Sequence, residues 1–100
     1  MDKIFRALAD VNRRKILTLL KSGDSNVSNL VEKLDINQPT VSFHLAILRK
    51  TGLVEVTVKS KERIYKLNKV RLISFVKELN RFMEWTEVNV DDEIILRRKE

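Results

Sequence analysis

Residues 26 to 52 read NVSNLVEKLDINQPTVSFHLAILRKTG, and this stretch decides the fold. Asn26 has the side chain of a helix N-cap. Val27, Leu30, Val31 and Leu34 follow at i, i+3, i+4 and i+7, the spacing of one apolar helix face. Asp35-Ile36-Asn37 interrupts that period. Asn37 can cap a second helix with Pro39 in its first turn, where a missing N–H is harmless. Val41, Leu45 and Leu48 give i, i+4 and i+7, and Thr51-Gly52 ends the element. Two short helices with single apolar faces, joined by a tight turn, form the helix-turn-helix pattern.

Working outward from this pair, Ile4, Phe5 and Leu8 form a short helical stripe between Asp2 and Leu8. Residues 12 to 22 place Ile16, Leu17 and Leu20 on one face, and Gly23 is expected to follow as a left-handed cap. Downstream of Gly52 the period changes from 3.6 to 2. Leu53–Val58 and Arg63–Leu67 are alternating, β-branched or aromatic segments, with Lys59-Ser60-Lys61-Glu62 as the loop between them. Asn68 can cap a last helix bearing Leu72, Phe75, Val76, Leu79, Phe82 and Met83 at heptad-like spacing. From Thr86 to Glu100 apolar residues alternate with acids, and an added strand, a continued helix and a tail all remain open. The expected fold is mainly α with a β-hairpin wing, a winged helix-turn-helix. Residues 1 to 85 are expected to form its DNA-binding and dimerisation domain, and residues 86 to 100 an acidic and apolar C-terminal extension.

The chain has 100 residues, room for one hydrophobic core. It lacks cysteine, which excludes disulfides, thiolate metal sensing and cysteine nucleophiles, and its single histidine excludes a multi-histidine metal centre. No apolar run is long enough for a membrane span, and the charged start lacks a signal-peptide core, so a cytoplasmic location without membrane contact is expected. No paired catalytic carboxylates, phosphate-cradling glycine loop or activated nucleophile is evident, and neither an enzymatic role nor a cofactor is expected. The net charge is +6, and residues 38 to 71 alone hold eight basic and two acidic side chains. Residues 84 to 100 hold six acids against three bases. A basic middle and an acidic end imply a contact face for a polyanion rather than evenly spread solubilising charge.

At about 100° per residue, turning Val41, Leu45 and Leu48 inward leaves Pro39, Phe43, Ala46 and Lys50 opposite. Gln38, Thr40, Ser42, His44 and Ile47 fall on the flanks. Small, apolar and amide groups suit the reading of base edges. Gln38 can pair with adenine, Thr40 and Ser42 can reach base edges or phosphate, and Phe43 can pack on a thymine methyl. The helix N-terminus also favours a phosphate. Ordinary alternatives stand beside these: an interface aromatic for Phe43, local capping for the hydroxyls, and a packed histidine bonding a backbone carbonyl for His44. In the DNA reading His44 is a weak phosphate or base contact. Lys59, Lys61 and Arg63 at the hairpin tip suit a backbone or minor-groove contact, although edge charges also deter strand pairing. Arg13, Arg49 and Lys50 are candidate phosphate contacts.

Several of these segments together resemble the ArsR-type (SmtB-like) family of small dimeric repressors. The resemblance rests on Leu8-Ala9-Asp10 with Arg13 and Ile16-Leu17, then Gln38 through Arg49, then Gly52-Leu53-Val54 and Tyr65-Lys66-Leu67. It covers roughly residues 3 to 83, with Val11-Asn12 standing where the family usually has Pro-Thr. The resemblance implies a homodimer through the first and last helices. This agrees with an apolar surplus on Ile4, Phe5, Leu8, Phe75, Val76, Leu79, Phe82 and Met83, which exceeds what one small core needs; Trp85 lies just beyond them. Metal sensing in the family uses cysteines on the first helix of the pair, or acid and histidine ligands on the last helix. Neither ligand set is present here, and a solvated role for Glu84, Glu87, Asp91, Asp92 and Glu93 is favoured over weak binding of a hard cation. The expected function is a sequence-specific regulator binding double-stranded DNA. As a homodimeric repressor it would read an inverted repeat, with residues 38 to 50 in the major groove and the wing, residues 59 to 63, alongside. The alternatives are a winged-helix protein-docking module and a non-specific architectural nucleic-acid binder. The effector is not legible.

Overall fold

The computed structural model describes residues 2 to 89. Its elements run α1 (Asp2–Leu8), α2 (Val11–Ser22), α3 (Val27–Leu34), α4 (Gln38–Lys50), β1 (Val54–Lys59), β2 (Glu62–Leu67) and α5 (Lys69–Asn89). The chain divides into two compact units, Met1–Lys69 and Val70–Glu100.

Side-chain caps set the helix starts in the first unit. The Asp10 carboxylate accepts from the N–H groups of Asn12 (2.8 Å) and Arg13 (3.1 Å) and starts α2. Asn26 Oδ1 accepts from Asn29 N–H at 2.8 Å, and Asn37 Oδ1 from Thr40 N–H at 2.9 Å, as the sequence leads one to expect. Asp35 ends α3 in the left-handed conformation, with φ 57° and its N–H donating to Val31 O. A short polar side chain tolerates that region better than most, which lets the chain reverse within the turn between α3 and α4. At the end of α2 the expectation fails. Gly23 has φ 164° and ψ 159°, an extended conformation open to any residue, and caps through its N–H on Leu20 O. The positive-φ glycine is Gly52, at 83° after α4.

The hairpin is tighter than the sequence suggests. Pairing runs from Val54↔Leu67 to Lys59↔Glu62, so only Ser60 and Lys61 form the turn. Both have positive φ, 49° and 67°, as a type I′ turn requires. A further strand contact went unforeseen. Ser25 pairs antiparallel with Tyr65 through Ser25 N–H to Tyr65 O (3.0 Å) and Tyr65 N–H to Ser25 O (2.8 Å). Ser25 therefore lies along β2 on the side not used by β1. No alternation announces a strand of one residue.

The core of the first unit is built from Ile4, Ala7, Ile16, Leu20, Leu30, Val41, Leu45, Leu48, Leu53, Val54, Tyr65 and Leu67, all buried. The helix α2 packs against α1, α3, α4 and β2, while α4 packs against α1, α2, α3 and β1. Burying each large aliphatic side chain contributes about 1.5–3 kcal/mol, so the apolar face of α4 is fixed inward and its other face outward. In the second unit, α5 buries Phe75, half-buries Leu72 and Leu79, and exposes Val70, Ile73, Val76, Phe82 and Met83. Of the readings left open for the C-terminal segment, a continued helix holds through Asn89, and residues 90 to 100 lie outside the described residues.

Candidate nucleic-acid interface

Because Val41, Leu45 and Leu48 are buried, the outward face of α4 presents Gln38, Pro39, Ser42, Phe43 and Ala46, with Thr40 and Ile47 half-buried beside them. Phe43 is 59% exposed, a large aromatic surface left in water. The face carries no charge until Arg49 and Lys50, both exposed at its C-terminal end. The first turn offers less to an anion than a bare helix start. Pro39 has no N–H and the Thr40 N–H is taken by Asn37, which leaves Gln38.

Two expected DNA contacts point elsewhere. His44 is buried, with Nδ1 3.2 Å from an Arg13 guanidinium nitrogen and Nε2 3.8 Å from the Asp10 carboxylate. Its two ring nitrogens thus face the Arg13 guanidinium and the Asp10 carboxylate. His44 is therefore withdrawn as a base reader, because the pitch of α4 sets it beside the buried stripe. Its ring stays near Phe43, with centroids 5.7 Å apart and planes tilted by 56°.

Arg13 is withdrawn as a phosphate contact for a related reason. Its Nε–H donates to Ala7 O at 2.7 Å and a terminal nitrogen to Arg6 O at 3.3 Å, in addition to the His44 contact. Arg14 donates to Leu8 O at 2.6 Å. The two arginines thus satisfy the last carbonyls of α1, a short helix that cannot satisfy them itself. The Arg13 N–H on the Asp10 carboxylate is the main cause holding the Asp10 pKa below its usual value. The Asn12 N–H and the charges of His44 and Arg13 act in the same direction, and partial desolvation opposes them. Residue patterning could not signal this Asp10–Arg13–His44 cluster, since its members are separated by up to 34 positions in the chain.

The wing cations Lys59, Lys61 and Arg63 are exposed, but they do not share one face. The register puts Arg63 and Val58 on the side of Tyr65 and Leu67, and Lys59 with Glu62 on the other, with Lys61 in the turn. Asn26 anchors the hairpin as well as capping α3. Its Nδ2 donates to Glu62 Oε2 at 2.6 Å, and the Ser25 pairing lies next door. The wing is thereby tied to the start of the helix-turn-helix.

Among the described residues, no group of three or more His, Cys, Asp or Glu side chains could hold a metal ion. No described helix is long and apolar enough to cross a membrane.

A family model described as a bacterial regulatory protein of the arsR family matches residues 10–56. The chain is 38% identical over 68 residues to the transcriptional repressor SdpR of Bacillus subtilis, covering 68% of this chain and 76% of that protein. It is 35% identical over 85 residues to the HTH-type transcriptional regulator Rv2034 of Mycobacterium tuberculosis, covering 85% and 78%. A solved structure of an ArsR-like transcriptional regulator from Rhodococcus sp. RHA1 superposes with a TM-score of 0.78 at 31% identity, covering 86% of this chain and 82% of that one.

Proposed function

This chain belongs to the arsR family of bacterial regulatory proteins, and we propose that it is a homodimeric, sequence-specific transcriptional repressor of double-stranded DNA. The observation that carries this reading is the outward face of α4, uncharged and centred on the exposed Phe43, with cations at its C-terminal end. Gln38, Thr40, Ser42 and Phe43 read base edges, and Arg49, Lys50, Lys59, Lys61 and Arg63 contact the phosphate backbone or minor groove. Dimerisation uses α1 and α5. Phe5 on α1 and Val76, Phe82 and Met83 on α5 are about half-exposed in the single chain, and burying such apolar surface is the ordinary driving force of association. Ile4 and Phe75, although buried within the chain, support the same two helices. Residues 1 to 85 are the DNA-binding and dimerisation domain, and residues 86 to 100 its C-terminal extension. The similar proteins are regulators by name, and no catalytic role is assigned.

Selection from a random duplex library with the purified chain tests the proposal. Enrichment of an inverted repeat with half-sites about one helical turn apart is expected. Equal affinity for all sequences would refute specific reading and favour the architectural alternative, and recovery of no bound duplex would favour the docking one.

A further inference from the structure

A cavity of about 250 Å³ lies between α1, the start of α2 and the end of α4. Ala7, Thr51 and Ile47 form its less exposed wall, and Lys3, Arg6, Arg13 and Lys50 surround it. Four cations thus face one space that, among the described residues, no acidic side chain lines. Among the described residues, Lys3, Arg6 and Lys50 have no carboxylate partner. Clefts lined by one sign of charge concentrate counter-ions. Arg13 is held in place by its contacts to Ala7, Arg6 and His44, so its charge is fixed before any ligand arrives. The wall itself offers little polarity. The Thr51 hydroxyl already donates to Leu48 O at 2.6 Å and accepts from Leu53 N–H at 3.1 Å. Ala7 and Ile47 add only hydrocarbon.

We propose that this cavity binds a small amphipathic organic anion, a carboxylate whose apolar body lies against Ala7 and Ile47 while its charge meets Lys3, Arg6, Arg13 and Lys50. A bare phosphate would gain nothing from the hydrocarbon wall, and a neutral molecule nothing from four cations. The cavity is smaller than pockets that take drug-sized ligands, which limits the body to a single ring or a short chain. On α1 its cations lie apart from the apolar residues assigned to the dimer. At about 100° per residue, Lys3 and Arg6 lie on one flank of the buried Ile4/Ala7 line of α1, and Phe5 and Leu8 on the other. Lys50 is shared with the proposed phosphate contacts, so a bound anion competes for a charge that DNA uses. That regulatory consequence rests on the DNA-binding reading, whereas ligand binding does not.

The test is titration of the isotope-labelled full chain, without DNA, using benzoate and octanoate at constant ionic strength. Benzamide and inorganic phosphate serve as comparisons. Saturating amide shifts confined to residues 3–7 and 47–51 are expected with at least one carboxylate, and weak responses to the comparison compounds. The double variant Lys3→Ala/Arg6→Ala, with its distant amide shifts unchanged, should weaken that binding about five-fold, in line with two partly exposed charges. Absence of saturation with both carboxylates up to tens of millimolar overturns the proposal. An equal response to phosphate also overturns it, marking a plain anion contact, as does an equal response to benzamide. A further titration in the presence of the selected duplex should show its affinity falling with carboxylate concentration. Failure of that arm alone refutes the regulatory consequence and leaves the binding site standing.

Discussion

Replacing Arg13 by alanine is expected to destabilise the fold and to leave the salt dependence of DNA binding unchanged. The guanidinium makes part-buried contacts to Ala7 O at 2.7 Å and His44 Nδ1 at 3.2 Å, and an exposed one to Arg6 O at 3.3 Å. A hydrogen bond to a charged group contributes about 1.5–3 kcal/mol net, and exposure lowers that figure because water replaces the lost partner. Counting the Ala7 bond nearly in full and the other two at a fraction gives about 2–3 kcal/mol. For a domain of this size that is a fall in Tm of roughly 10–20 °C. Arg14 is the internal control. It has the same charge, is next in the chain and makes one exposed bond to Leu8 O, so Arg14→Ala should cost less than about 1 kcal/mol. Urea denaturation followed by circular dichroism measures both, at one protein concentration because dimerisation contributes to stability by mass action. Equal losses for the two variants would refute the structural role of Arg13. In DNA binding, losing a true phosphate contact flattens the slope of log K against log salt by about 0.9 per protomer. A flattening of that size in Arg13→Ala would restore Arg13 to the interface.

The two glycines should respond in opposite directions. Gly23→Ala meets an extended backbone with nothing within 4 Å of the new Cβ and should stabilise by about 0.4–1 kcal/mol, whereas Gly52→Ala at φ 83° should cost about 1–2 kcal/mol, both read from chemical denaturation. The depressed Asp10 pKa makes this carboxylate favour the folded state above its unfolded value near 3.8, and that contribution is lost as pH falls through the lower folded pKa. Asp10→Asn keeps a cap but cannot titrate, so stability measured from pH 6 down to 2 should fall less steeply than in the parent, and parallel curves would contradict the assignment. Phe43→Ala should leave urea stability within about 0.5 kcal/mol, as for an exposed side chain, while weakening the selected duplex by about 1–3 kcal/mol in a binding isotherm. The parent dimer, neutralising about eight phosphates, should lose affinity with a log–log salt slope near −7.

The helix-turn-helix was legible because local rules agree with one another over residues 26 to 52. Asparagine caps, a proline in the first turn and a single apolar stripe per helix each call for the same two helices, and the structure has them. The hairpin was legible through its alternation, but its turn was not. Ser60 and Lys61 are not residues that type I′ geometry favours, and the strand register, from Val54↔Leu67 outward, places them there regardless. Candidate base readers followed from the same periodicity, with an error at its margin. His44 sits at the edge of the buried stripe, where 100° steps cannot say whether a side chain turns to water or to a neighbouring helix.

By itself, then, the sequence determined the order of elements, the inward faces of α2, α3 and α4 and the location of the positive charge, since these depend on residues a few positions apart. By contrast, α1 turns Ile4 and Ala7 inward and leaves Phe5 of the expected stripe exposed. Tertiary structure decided which cations remain available. Arg14 is spent on a carbonyl that ends α1, Arg13 is held by Ala7 O, Arg6 O and His44 with its charge beside a cavity, and Lys3, Arg6 and Lys50 surround the same cavity. The physical reason is that hydrogen-bond satisfaction and like-charge crowding depend on distances between elements. Only the packing of α1, α2 and α4 sets those distances.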